Sequence, residues 1–126
     1  GLKTSVLKII NSKKNKSDKF KSDVCCSFQY TVLNIIKKKC EVGLQIFQKK
    51  YPKKKKKIVI VGGVASNNFI RKNLEKFTIT NNSNLYVPTK NLCTDNAAMI
   101  AWVAIEKFKK NKQNNFDFQP LPNWQI

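Results

Sequence analysis

The chain reads as an α/β protein with the element order α-α-β-α-β-α, and three patterns predict it. Apolar residues recur at three-and-four spacing over two long stretches near the start, which is the mark of amphipathic helices. A run of four branched apolar residues, Ile58-Val-Ile-Val61, is bounded by lysines on one side and by Gly62-Gly63 on the other. Such a run suits a strand buried on both faces, hence a parallel or mixed sheet. Two further helical patterns follow, separated by a short second strand.

The first helix is expected over about residues 2 to 10, carrying Leu2, Val6, Leu7, Ile9 and Ile10, and it dissolves into the polar linker Asn11 to Ser17. The second starts from a cap at Ser22 or Asp23 and closes before Pro52. Its apolar stripe is Val24, Cys25, Phe28, Val32, Ile35, Ile36, Cys40, Leu44 and Phe47, which reads as core. Residues 11–22 and 51–57 are expected as basic loops on either side of it. Asn67 and Asn68 can cap a third helix, Phe69 to Phe77, because asparagine side chains accept from free N–H groups of a first turn. Asn81 to Asn84 is a turn cluster, Leu85-Tyr-Val87 a second strand, and Pro88 to Asn91 a loop. Thr94 or Asp95 caps the last helix, which places Ala98, Met99, Trp102, Ile105 and Phe108 on one face and ends near Lys110. Residues 111–126, with prolines at 120 and 122, are expected to lie extended against the body.

Composition narrows the class. The chain has 126 residues, 41% of them hydrophobic, enough for a packed core. It begins at Gly1 directly in an apolar pattern and so reads as a segment of a longer fold. No apolar run approaches the roughly 18 residues of a membrane-spanning helix. Cys25, Cys26, Cys40 and Cys93 form no C-x-x-C pair, and histidine is absent, so no zinc-finger set exists. Reduced thiols in a cytosolic or organelle-matrix compartment are expected.

Charge leaves two readings open. There are 25 basic and 7 acidic residues, a formal charge of +18, which favours a polyanion through counterion release. Arg71 is the only arginine, however, whereas phosphate and base readout favour the planar guanidinium fork. A lysine- and asparagine-rich bias producing a solvated basic surface accounts for the same numbers.

Two stretches can carry chemistry. Gly62-Gly63 after a strand lets backbone approach a ligand, and the helix start that follows is an anion site. The pattern is neither G-x-G-x-x-G nor a Walker loop, so a tight turn and a nucleotide or phosphate site both remain. Asp95 lies in Thr94-Asp-Asn96 at a helix entrance beside two alanines. It reads either as a helix cap or as a metal carboxylate, hard oxygen being the donor that holds divalent ions.

Taken together, Val61-Gly-Gly-Val-Ala-Ser-Asn67, Cys93-Thr-Asp-Asn-Ala-Ala-Met-Ile-Ala101, Gly1-Leu-Lys-Thr4, Ser27-Phe-Gln29 and Pro122-x-Trp124 resemble the C-terminal part of the TsaD (Gcp) family, in its bacterial and organellar form. The resemblance spans residues 1–126. It implies part of a two-lobed, actin-like ATPase fold (the ASKHA group of sugar kinases, Hsp70 and actin). The implied activity is transfer of threonylcarbamoyl from threonylcarbamoyl-AMP to the N6 amine of the tRNA adenosine beside the anticodon (t6A formation). It further implies one divalent metal ion, Fe2+ or Zn2+, held by two histidines and one aspartate. By motif match that aspartate is Asp95, and both histidines are absent from this chain. Asn67, with Gly62 and Gly63 beside it, matches the nucleotide-binding motif. The implied partners are tRNA, threonylcarbamoyl-AMP or ATP, and the bacterial TsaB and TsaE subunits. A cytoplasmic location, or a mitochondrial or plastid matrix, goes with them. No general base is identifiable, and the segment alone is expected to be inactive. Two alternatives remain: a fragment of another actin-like ATPase or kinase, and a non-catalytic basic tRNA-binding module.

Overall fold

A computed structural model describes residues 1–14 and 16–112 together with Asn115, Asp117 and Gln119. Its regular elements are α1 (Leu2–Asn11), α2 (Asp18–Lys50), β1 (Lys56–Val59), α3 (Asn68–Thr80), β2 (Ser83–Tyr86) and α4 (Ala97–Lys109). Short 3-10 turns at Gly63–Ser66 and Lys90–Leu92 precede α3 and α4. The extended tail expected over 111–126, with its Pro122-x-Trp124 motif, falls largely outside the described residues.

Helix α2 is longer at its start than the apolar spacing alone indicates. Ser17 is the cap, its hydroxyl accepting from the Phe20 N–H at 3.2 Å. Residues 18–22, expected in a basic loop, are therefore helical. At the other end the helix stops at Lys50, two residues before Pro52, which has no N–H to continue the ladder.

The two strands pair in parallel, with Lys56 opposite Ser83 and Val59 opposite Tyr86. The ladder extends by one bond from the Ile60 N–H to the Tyr86 carbonyl, 3.0 Å. Parallel neighbours need a crossover, and here α3 supplies it. Pairing decides the strand bounds: β1 begins two residues before the apolar run, which shortens the expected 51–57 loop, and β2 begins at Ser83 rather than at Leu85.

The expectation that Ile58 to Val61 is buried on both faces is corrected. Side chains alternate across a strand, and Ile58, Ile60 and Leu85 are half-buried on the helix-facing side while Val59 and Val61 are exposed. Among the described residues the sheet has two strands, and helices α2 and α3 cover only one face of it.

The core is small. Leu33, Ile70 and Leu74 form its centre, with Val32, Ile36, Ile60, Phe69 and Leu85 packed around them. Leu33, 1% exposed, lies outside the stripe read from spacing, whereas Cys25, Phe28 and Ile35 of that stripe are exposed. The reason is geometric: α2 meets α3 and β1 along one narrow line, and only side chains on that line are covered. Met99, Trp102, Ile105 and Phe108 of α4 are all exposed, as are Leu2, Leu7 and Ile9 of α1. The apolar faces read from spacing exist, but the described residues do not cover them.

Candidate functional site

In a parallel pair both strands end at the same edge, and loops beyond the carboxyl ends of such strands are where open α/β sheets bind ligands. Both motif stretches occupy that edge. Gly62 to Asn67 follows β1, and Pro88 to Asn96 follows β2.

Gly62 turns the chain at φ +85°, in the left-handed region that side-chain-bearing residues enter at a cost. The next residues wind into the 3-10 turn, with the Ala65 N–H donating to the Gly62 carbonyl at 2.9 Å. A Cβ built at Gly62 or Gly63 would have no atom within 4 Å. The two glycines therefore border open space, which a ligand can approach closely.

Asn67 ends this turn and caps α3. Its Oδ1 accepts from the Phe69 and Ile70 N–H groups at 2.9 and 3.1 Å. Its Nδ2 donates to Gln29 Oε1 on α2 at 2.7 Å. Beside this pair the Tyr30 and Phe69 rings meet edge to face, 4.8 Å between centroids. The expected anion site at the helix start is thus modified in two ways. A 3-10 turn separates the glycines from α3, and two of the helix's free N–H groups are already held by Asn67. What the amide can still offer is its second Nδ2–H.

The loop after β2 decides which residue caps α4, and it is not Asp95. Asn96 is the N-cap of α4, its Oδ1 accepting from Met99 N–H at 2.9 Å while its Nδ2 donates to the Thr94 carbonyl, also at 2.9 Å. Neither Thr94 nor Asp95 caps the helix. Asp95 is exposed, and its carboxylate has no hydrogen bond or ion pair among the described residues. A free, exposed carboxylate suits a single metal ligand. Among the described residues no three His, Cys, Asp or Glu side chains gather into a metal-binding group, so further ligands would have to come from elsewhere.

Cys93 is buried under this loop, 3% exposed. On α2, burial pushes the Cys40 thiol above its ordinary pKa. Two residues with structural roles at the site do not stand out in the sequence pattern: Gln29, within Ser27-Phe-Gln29, and Asn96, adjacent to Asp95. Asn96 was legible in principle, since asparagine is as good a cap as aspartate. Gln29 was not, because its partner is 38 positions away.

Residues 1–102 match the family model of TsaD, tRNA N6-adenosine threonylcarbamoyltransferase. The chain belongs to the TsaD family. Proteins named tRNA N6-adenosine threonylcarbamoyltransferase are similar along its length. That of Neorickettsia sennetsu is 45% identical over 109 residues, covering 86% of this chain and 31% of the relative. That of Pelagibacter ubique is 41% identical over 126 residues, 100% of this chain and 35% of the relative. That of Wolbachia pipientis wMel is 36% identical over 126 residues, 100% of this chain and 36% of the relative. The chain thus spans about a third of the length of these TsaD relatives. Among the described residues no helix is long and apolar enough to cross a membrane.

Proposed function

We propose that this chain is the C-terminal part of a tRNA N6-adenosine threonylcarbamoyltransferase and forms one wall of its active site. The observation that carries the reading is the meeting of its two family motifs at one edge: Gly62, Gly63 and Asn67 beyond β1, and Asp95 beyond β2. The family match favours this over a kinase or hydrolase of the same fold group. The rest of the proposed two-lobed, actin-like fold would come from residues outside this chain. The uncovered apolar faces of α1 and α4 support that, since exposed apolar area on this scale marks surface that another part of a protein covers.

In this reading the open space over Gly62 and Gly63 admits the adenylate, and the second Nδ2–H of Asn67 donates to it. The first N–H of Asn67 is fixed by Gln29, so the amide is oriented before the ligand arrives, which lowers the cost of binding. Threonylcarbamoyl-AMP is a mixed carbamic–phosphoric anhydride. The adenine N6 amine of tRNA attacks its carbamoyl carbon, the bond to the phosphate oxygen breaks, AMP leaves with the electron pair, and the acylated nitrogen gives up one proton to water. Asp95 is the one ligand this chain would offer to an Fe2+ or Zn2+ ion. Such an ion supplies Lewis acidity and a template for the substrate's oxygens. The +18 charge would draw tRNA to the surface and make its binding fall with salt. Association with TsaB and TsaE and a cytoplasmic location belong to the same proposal.

The test is Asp95→Ala in the full-length protein. Because Asn96 and not Asp95 caps α4, the helix should survive the substitution. The expected result is loss of bound iron or zinc by elemental analysis together with loss of t6A formation. Normal metal content in a folded variant would overturn the assignment.

A further inference from the structure

Arg71 is the one arginine among 25 basic residues, and the transferase reading gives its guanidinium no part. It sits one turn into α3, where its backbone N–H bonds the Asn67 carbonyl at 3.0 Å. Its side chain reaches both motif loops at once. Nε donates to the Ala65 carbonyl inside the glycine turn. Nη2 donates to the Pro88 carbonyl at 2.8 Å and to Cys93 Sγ at 3.1 Å in the loop that leads to Asp95. Ala65 and Cys93 are 1% and 3% exposed, so the contacts lie beneath the loops rather than on their rims. Among the described residues no hydrogen bond joins the two loops to each other directly.

This geometry needs a guanidinium. Its donors project in one plane along fixed, diverging directions, whereas a lysine ammonium is a single point on a flexible stem. One planar group can therefore hold acceptors on two loops at a fixed separation. A chain in which every other basic residue is lysine places its single fork at this position.

We propose that Arg71 is a positioning residue that sets the separation between the Gly62–Asn67 turn and the Asp95 loop. The proposal rests on the transferase reading for its effect on catalysis, while the clamp itself can be read without it. Each loop keeps its own ligand-binding groups when the clamp is lost. Binding at either end should therefore survive, whereas the alignment of the two ends of the intermediate should not.

The experiment compares Arg71→Lys and Arg71→Met with wild type in the full-length protein. In both variants kcat for t6A formation is expected to fall about 10²-fold, the cost of roughly 1 Å of misplacement, with KM for threonylcarbamoyl-AMP changed less than about 3-fold. Alkylation of Cys93, followed peptide by peptide, is expected to accelerate about 10-fold as its loop opens locally, while Cys40 on α2 keeps its rate. A lysine variant with wild-type kcat, or Cys93 labelling unchanged in both variants, would overturn the clamp. So would a parallel rise at Cys40, which would make Arg71 a general scaffold residue. A wild-type protein without transferase activity would instead refute the transferase reading, and Cys93 labelling would still judge the clamp.

Discussion

The Asn67 amide caps α3 and, in the proposed site, also donates to the adenylate, and a pair of substitutions separates the two roles. Asn67→Ala removes the acceptor for the Phe69 and Ile70 N–H groups and the donor to Gln29. Loss of an asparagine cap costs about 1 kcal/mol, with Gln29 left half-buried and able to find water. That corresponds to about a 5-fold loss of hydrogen-exchange protection over the first turn of α3. Asn67→Asp behaves differently. Its carboxylate caps as well as the amide does, and the Gln29 amide can turn over to present its N–H2. Protection in α3 should then stay at the wild-type level. The ligand side should fail in both, since neither variant has an N–H to give. A hydrogen bond to a charged group contributes about 1.5–3 kcal/mol. At about 1.4 kcal/mol per tenfold, adenylate affinity should drop by one to two orders of magnitude. The aspartate adds repulsion toward the phosphate, so it should be the weaker binder of the two. Exchange of the Phe69 and Ile70 amides and calorimetric binding of a non-hydrolysable adenylate, both on the full-length protein, provide the two readouts. Wild-type affinity in Asn67→Asp would refute the ligand role, and unchanged protection in Asn67→Ala would refute the capping argument.

The glycines should divide in the same manner. Gly63→Ala meets open space and an ordinary backbone, so stability should hold while adenylate binding weakens; Gly62→Ala must keep φ +85° and should cost about 1–2 kcal/mol in a denaturation curve. Leu74→Ala, at a site 1% exposed, should cost about 2–5 kcal/mol through lost burial and the cavity left behind. Burial raises the Cys40 pKa, so less of it is thiolate at a given pH. Its alkylation should lag that of exposed Cys25 and Cys26 near neutrality, with the lag closing as pH rises through the Cys40 pKa; equal rates at pH 7 would contradict the burial.

Helix interiors and family membership were legible in the residues themselves. The apolar spacing of α2 and α3, the Gly62-Gly63 turn, and Asn67 as a cap each depend on residues within one or two turns, where backbone geometry and side-chain reach are local. The motifs around Asn67 and Asp95 carried the resemblance that the TsaD family match bears out.

What tertiary structure decided depends on partners far along the chain. Strand β1 begins at Lys56 because Ser83 stands opposite it, and no local preference of lysine foretells that. Burial of Leu33 and exposure of Phe28 follow from the line along which α2 meets α3 and β1. Asn96 takes the cap of α4, leaving Asp95 beside it without a hydrogen bond among the described residues. Spacing alone could not choose between them, because both fit the entrance and only the backbone geometry of the loop selects one. Arg71 stands out in the sequence as the single arginine, but nothing near it in the chain says what its guanidinium holds. Only folding brings Ala65, Pro88 and Cys93 within reach of its single plane, since parallel pairing of β1 and β2 delivers both loops to the same edge.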